Sequence, residues 1–197
     1  MANQNHPLKG SSTRTLPFTS KDIRNLKLLL RDKPRDFALL VCGVNLALRG
    51  GELLSLKIGQ VMHLMPGDTL YVYQQKTRKN RQLVLNKSAY QAIQSLLASM
   101  KGNLDDSDYL FRSRKGGGKL CVQHLCHIVK SWAKALNLRG NWGSHSLRRS
   151  FGAIQRLEHG VSVEVLSQCY GHSSPAVTMR YIGLCQDEVN AVFLREI

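Results

Sequence analysis

Two kinds of hydrophobic spacing alternate along the chain. In most of it, apolar residues recur every three or four positions, which is the spacing of an amphipathic helix. This pattern predicts helices at about residues 19–30, 35–48, 52–56, 88–100, 122–136 and 145–159. Pro34 separates the first two segments, and Ser174-Pro175 begins a further short helix with Tyr181 at its end. The tail at residues 186–194 is also amphipathic.

The spacing changes to alternation between residues 61 and 85. Three short segments rich in Val, Leu and Tyr, at 61–64, 69–74 and 81–85, are typical of strands, and Pro66-Gly67 marks a turn. A basic run at 76–80 forms the tip between the second and third strands. The pattern therefore predicts an α+β protein, mainly α, with one small three-stranded antiparallel sheet.

The composition indicates one folded domain. The chain has 197 residues, of which 43% are hydrophobic, and this is enough to bury a core. Residues 1–18 are polar and contain Lys9 and Arg14 but no acidic residue, so we expect a flexible basic arm before a single domain at 19–197. From this length we expect no separate N-terminal helical domain. The chain shows no apolar signal core or spanning run, and its five cysteines have no disulfide-like pattern, which predicts a cytoplasmic protein.

The charge balance points to a polyanionic partner. The chain has 28 Lys and Arg against 13 Asp and Glu, a formal net charge of +15. Two long stretches, 69–104 and 109–157, contain no acidic residue at all. Basic patches of this kind are the usual footprint of phosphate binding, so nucleic acid is the favoured partner. A solvated basic surface, ribosomal or membrane-facing, is the open alternative.

One group of residues invites a zinc interpretation. Cys121, His124, Cys126 and His127 are the residue types that bind zinc. On the predicted helix, however, they project in several directions around the axis and would not converge on one ion. Helix packing is the favoured interpretation, and no metal or other cofactor is expected.

Five short motifs carry residues suited to attack on a phosphodiester. In chain order they are Arg49 within Leu48 to Leu56, Lys76 in the basic hairpin, His145-Ser146-Leu147-Arg148, Gly171-His172, and Tyr181. An arginine can bind the non-bridging oxygens of a phosphate in a fixed fork, and a histidine can hold or move a proton near neutral pH. A tyrosine hydroxyl can become a nucleophile if neighbouring cations offset its pKa of about 10.

These motifs, in this order and across about residues 19–184, resemble the tyrosine recombinase (phage integrase) family. The resemblance implies a DNA strand transferase of the tyrosine recombinase fold. Tyr181 would attack the scissile phosphorus and form a 3′-phosphotyrosyl bond. Arg49 and Arg148 would bind the non-bridging oxygens, where charge develops in the transition state.

The resemblance also assigns the remaining reactive groups. Lys76 would protonate the leaving 5′-oxygen, His145 would accept or position a proton near the tyrosine, and His172 would hydrogen-bond the phosphate. Because the phosphotyrosine stores the bond energy, neither a metal nor ATP is needed. Contacts to the DNA backbone are expected from basic residues along the chain, namely Arg78, Lys79, Arg81, Arg114, Lys115, Lys119 and Arg149.

Several of these residues have a structural alternative. Arg49 could complement a helix dipole at the C-terminus of the second helix. Glu52 is expected to pair with Arg49 rather than to act chemically. Arg149 lies about 100° around the helix from Arg148, which favours a DNA-backbone contact. Tyr170 stands where the family commonly has a leucine before Gly-His, and it is interpreted as a packing residue.

The resemblance implies an assembly on DNA as well. Exchange of four strands would need a tetramer on paired double-stranded sites, formed from free monomers and aided by accessory DNA-bending proteins. The segment 186–197 would pack either on its own domain or on a neighbouring protomer. The short chain resembles the recombinases that invert fimbrial promoter segments. A nicking-closing enzyme of the type IB topoisomerase kind and a non-cleaving DNA-binding regulator are the alternatives.

Overall fold

The computed structural model describes residues 14–74, 79–113, 117–182 and 193–194. Within these ranges the chain forms eight α-helices and two β-strands. Their bounds are α1 Ser20–Leu30, α2 Pro34–Asn45, α3 Gly50–Leu54, β1 Thr69–Gln74, β2 Lys79–Val84, α4 Lys87–Ser99, α5 Val122–Ala135, α6 Ser144–Leu157, α7 Val163–Tyr170 and α8 Pro175–Ile182. The mainly helical α+β class is therefore as predicted.

Helix α2 lies at the centre of the core and packs against α1, α4 and α6. Its residues from Ala38 to Val44 are all buried, which matches the strongly apolar segment in the sequence. Gly43 allows α6 to approach closely, because a Cβ at that position would lie 2.6 Å from Cδ1 of Leu147. This contact fixes α6, which carries His145 and Arg148, against the centre of the core.

The sheet has two strands in the described part of the chain, so the prediction of three strands is wrong there. Strands β1 and β2 pair antiparallel from Thr69 opposite Val84 to Gln74 opposite Lys79. Residues 61–64 form a turn after a 3₁₀ turn at Ile58–Gln60 instead. The amides of residues 61 and 62 both donate to the Ile58 carbonyl at 3.0 Å, so local bonds replace strand pairing. Four alternating residues are too few to distinguish a strand from such a turn.

Helix α7 is an element that the hydrophobic pattern did not predict. Its sequence signals are nonetheless present, since the Ser162 hydroxyl accepts from the Val165 amide at 3.3 Å and caps the N-terminus. Gly171 ends the helix with φ 63°, in the left-handed region that favours glycine. Helix α7 therefore ends immediately before His172.

The segment at residues 14–18 packs on the helical body. The Leu16 amide donates to the Asn141 carbonyl at 2.9 Å. Phe18 is 1% exposed and stacks on Trp142 with ring centroids 4.5 Å apart. Packing therefore begins before the expected domain boundary at residue 19. The flexible arm stays a prediction for residues 1–13, which lie outside the described part of the chain.

Two features of the described residues bear on other expectations. No described helix is long and apolar enough to cross a membrane. The described Cys, His, Asp and Glu residues contain no group that could hold a metal ion. In the segment that invited a zinc interpretation, Cys126 contacts the Ser144 hydroxyl at 3.4 Å and so takes part in packing between α5 and α6.

Candidate active site

Arg49 lies between α2 and α3 and is fixed by Glu52. Its backbone amide donates to Oε2 of Glu52 at 2.8 Å, and its guanidinium Nη1 donates to Oε1 at 2.7 Å. Arg49 is the N-cap of α3, where the helix dipole disfavours a cation. Helix α2 ends at Asn45 with Leu46 as its C-cap, so the alternative that Arg49 caps the C-terminus of that helix is wrong, and the expected pairing with Glu52 is present.

Arg148 is a buried cation held by backbone carbonyls. Its side chain is 2% exposed, and it donates to the Ala47 carbonyl at 2.5 Å and to the Tyr170 carbonyl at 2.8 Å. Oε2 of Glu52 lies 3.8 Å from its Nη1. Burial lowers the pKa of Arg148, but an arginine stays protonated in a protein. The three contacts therefore compensate a permanent buried charge.

Tyr181 lies in the last turn of α8 and faces α6. Its hydroxyl oxygen is 3.2 Å from Nδ1 of His145. Burial raises the pKa of Tyr181, while Arg148, Arg149 and Arg49 act in the opposite direction. The expectation that cations offset the pKa of Tyr181 is met only in part, because burial is the largest influence on it. Tyr181 is therefore a neutral hydroxyl near neutral pH.

Both histidines of the site are held in the neutral form. Burial lowers the pKa of His145 below 6.5, and the nearby arginines lower it further. Burial and then Arg148 lower the pKa of His172 to about 4. Nδ1 of His172 lies 2.9 Å from the Thr178 hydroxyl. A neutral His145 can accept a proton from Tyr181, because an imidazole keeps one nitrogen as an acceptor.

The structure places two expected DNA-contact residues inside the site. Arg81 donates to the Ala47 carbonyl at 3.1 Å and to the Cys169 carbonyl, and burial lowers its pKa to about 10. Arg149 is 8% exposed, donates to the Thr15 carbonyl at 2.6 Å, and lies 4.9 Å from the Tyr181 ring centroid. The angle of about 100° between Arg148 and Arg149 around α6 favoured a DNA-backbone contact for Arg149. In the structure, the packed segment at residues 14–18 covers the Arg149 side chain.

The other expected basic residues are divided between the surface and the part of the chain that is not described. Lys119 is exposed and donates to the Ser55 hydroxyl at 3.2 Å. Lys76 lies outside the described residues, and so do Arg78, Arg114 and Lys115 and the side chain of Lys79. The structure thus brings together Tyr181, Arg49, Arg148, His145 and His172, the five expected catalytic residues that it describes.

The charge of this cluster is unbalanced. Among the described residues, the guanidiniums of Arg49, Arg81, Arg148 and Arg149 lie in or beside the site, and Arg14 donates to the carbonyls of Arg180 and Tyr181. Glu52 is the carboxylate that acts on Arg49, Arg81 and Arg148. Fixed cations in excess, with neutral histidines and a neutral tyrosine among them, suit an anionic ligand. A phosphate diester has the charge and the acceptor oxygens that such a cluster binds.

The chain is similar in sequence to known recombinases. Residues 18–187 match the phage integrase family. A probable integrase/recombinase of Bacillus subtilis, YoeC, is 32% identical over 165 residues, which cover 84% of this chain and 86% of that protein. The tyrosine recombinase XerA of Pyrococcus furiosus is 28% identical over 173 residues, which cover 85% of this chain but 58% of that protein. The chain thus spans little more than half the length of this Xer relative.

Solved structures show the same fold. A crystal structure of XerA recombinase superposes with a TM-score of 0.74 at 22% identity, covering 98% of this chain and 68% of that one. A post-cleavage complex of XerH site-specific recombinase on its palindromic difH substrate gives a TM-score of 0.72 at 21% identity, covering 96% of this chain and 55% of that one.

The chain therefore belongs to the phage integrase family, the tyrosine recombinases, whose members are DNA strand-transfer enzymes. The family predicted from the five motifs is confirmed. The described residues form the catalytic-domain fold of that family.

Replacing Glu52 tests the charge balance of the cluster. Glu52→Ala leaves Arg49 and Arg148 without their carboxylate. Loss of one partner of a buried pair costs about 3–5 kcal/mol, and we expect about 3 kcal/mol because Arg49 is 28% exposed. Chemical denaturation measures the change in the free energy of unfolding. Glu158→Ala, at an exposed position after α6, is the control and should change it by less than about 0.5 kcal/mol. Equal stability of the two variants would contradict this assignment.

Proposed function

We propose that the chain is a site-specific DNA recombinase that cuts and rejoins DNA through a 3′-phosphotyrosyl intermediate. The observation that carries this proposal is the contact of the Tyr181 hydroxyl with Nδ1 of a neutral His145 at 3.2 Å. This pair lies among guanidiniums whose charge Glu52 does not balance. A nucleophile, a proton acceptor and phosphate-binding cations thus lie together.

The cleavage step follows from these positions. The Tyr181 oxygen forms a bond to phosphorus, and its proton passes to Nδ1 of His145. The bond from phosphorus to the 5′-oxygen breaks, and the leaving oxygen takes a proton. We assign that proton to Lys76, which follows β1 by two residues, on the family resemblance. Attack by a 5′-hydroxyl reverses the sequence and rejoins the strand.

The arginines and His172 stabilise the charge that develops on the non-bridging oxygens. Arg49 and Arg148 are fixed before DNA binds, so they need little reorganisation during the reaction. With Nδ1 of His172 accepting from the Thr178 hydroxyl, the other ring nitrogen carries a proton that it can donate to a phosphate oxygen. The two arginines supply the positive charge that a metal ion supplies in other phosphoryl-transfer sites.

The partner is double-stranded DNA with paired recombination sites. Solved relatives bound to DNA substrates, among them XerH and a lambda integrase dimer, support this part of the proposal. We further propose that monomers assemble as a tetramer on the paired sites, with DNA-bending proteins as accessory partners. Phe193 and Leu194 are 84% and 83% exposed, which supports docking of the C-terminal segment on a neighbouring protomer.

Covalent capture tests the nucleophile. Wild-type protein incubated with a pool of nicked duplexes of randomised sequence should form an adduct that survives denaturation. Tyr181→Phe should abolish the adduct because it removes the attacking oxygen, whereas Tyr90→Phe, in α4 away from the site, should keep it. The adduct should also form in EDTA. Adduct formation by Tyr181→Phe at the wild-type rate, or an absolute need for Mg²⁺, would contradict the proposal. Cleavage without exchange between paired sites would favour a nicking-closing enzyme.

The pH dependence of capture tests the proton acceptor. His145 has a lowered pKa and acts as a base, so the rate at subsaturating DNA should be full near neutral pH and fall as His145 gains a proton. The midpoint of this acid limb should lie below 6.5. His145→Gln should remove the limb and lower the rate by about 10²–10⁴. A midpoint above 6.5, or an unchanged limb in the variant, would exclude His145 as the base.

Truncation tests the assembly. A chain that ends before Gln186 keeps Tyr181 but lacks the segment proposed to dock on a neighbour. We expect it to bind a half-site normally and to lose cooperative binding to the full site and recombination. Gel-shift titration and a plasmid recombination assay measure the two activities. Unchanged recombination would contradict docking between protomers.

A further inference from the structure

One buried aromatic ring contacts several of the reactive side chains. Tyr170 is 0% exposed, and its ring centroid lies 4.7 Å from Cζ of Arg148. The ring stacks on His172 with centroids 4.9 Å apart at 19°, and it meets the Tyr181 ring edge-on at 5.4 Å. Tyr170 therefore touches a phosphate-binding arginine, a histidine and the proposed nucleophile at once.

Tyr170 and Arg148 are also joined by two reciprocal hydrogen bonds. The Tyr170 hydroxyl donates to the Arg148 carbonyl at 2.8 Å, and Nη2 of Arg148 donates to the Tyr170 carbonyl at 2.8 Å. The first bond fixes the backbone of α6 and the second fixes the guanidinium against the end of α7. Burial raises the pKa of the Tyr170 hydroxyl, so it remains a donor at any pH at which the protein works.

Gly152 provides the space for this hydroxyl. A Cβ at Gly152 would lie 2.2 Å from the Tyr170 oxygen, so any side chain at that position would displace the buried Tyr170 ring. Glycine inside a helix costs about 1 kcal/mol relative to alanine, so its place in the middle of α6 calls for a reason. The Tyr170 hydroxyl is that reason, and Gly152 and Tyr170 act as a pair.

We propose that Tyr170 is a positioning residue for strand transfer, which holds Arg148 and His172 in the geometry that receives the scissile phosphate. It acts through these two side chains, because its own hydroxyl is occupied by the Arg148 carbonyl. This inference rests on the proposed function, since it assigns Tyr170 a role in that same reaction. A displacement of about 1 Å in such a site can lower a rate about 10²-fold.

Two substitutions separate the hydroxyl from the ring. Tyr170→Phe keeps the ring contacts and loses the bond to the Arg148 carbonyl, and Tyr170→Leu loses both. The substrate is a nicked duplex identified by covalent capture and supplied at saturating concentration. On this duplex we expect adduct formation to slow about tenfold for Tyr170→Phe and about 10²-fold for Tyr170→Leu. The dissociation constant for the same duplex should change less than about twofold, because many other phosphate contacts supply affinity. Tyr90→Phe is the control and should leave both quantities unchanged.

A rescue experiment keeps the inference testable if a variant is unstable. Gly152→Ala should lower the melting temperature and the rate. Gly152→Ala combined with Tyr170→Phe should recover part of both, because the double variant loses the oxygen that a Cβ would meet at 2.2 Å but keeps two ring carbons at 3.0 Å. Wild-type rates in the Phe and Leu variants, or a rate loss matched by an equal loss of affinity, would overturn the positioning role. Failure of the double variant to recover would overturn the pairing. If wild-type protein forms no adduct on any DNA, the proposed function fails instead, while thermal rescue still tests the Gly152–Tyr170 contact.

Discussion

The buried charge of Arg148 is the constraint on which the rest of the structure depends. A guanidinium that is 2% exposed cannot lose its proton, so it must find partners inside the protein. The Ala47 carbonyl, the Tyr170 carbonyl and the Glu52 carboxylate provide them, and they come from three separate parts of the chain. Ala47 adopts φ 48°, an unfavourable conformation for alanine, in the link where its carbonyl meets this cation. The end of α2, the start of α3 and the end of α7 are thereby held together around one side chain.

The same constraint sets the electrostatics of the site before DNA arrives. Burial keeps the Tyr181 hydroxyl protonated, and burial and the nearby guanidiniums keep His145 and His172 neutral. Positive charge is therefore carried by arginines, whose charge does not change with pH. A phosphate diester would offset part of this positive charge, and its negative charge would favour the protonated form of His145.

The sequence predicted the features that local rules decide. Most helices follow from hydrophobic spacing and caps, and Ser174-Pro175 located the helix that carries Tyr181. The candidate reactive residues could be selected because each carries a group with distinct chemistry. The prediction of a third strand was wrong because three of the four amides at 61–64 bond to carbonyls nearby in the sequence. Helix α7 was missed although Ser162 and Gly171 mark its two ends.

Residues whose role comes from tertiary contacts could not be predicted in this way. The sequence does not distinguish Arg81 and Arg149 from exposed arginines. Only the folded structure shows that their guanidiniums bind carbonyls inside the site. Tyr170 was interpreted as a packing residue, and its bonds to Arg148 depend on how α6 meets α7. The angular spacing along α6 predicts the direction in which Arg149 points, but it does not show that residues 14–18 pack over Arg149.

The most direct test of the central claim is to identify the atom that becomes attached to DNA. The protein–DNA adduct is digested with nuclease and protease, and the modified peptide is sequenced by mass spectrometry. The account predicts a nucleotide joined through its 3′-phosphate to the oxygen of Tyr181. Attachment to another residue, or through a 5′-phosphate, would contradict it.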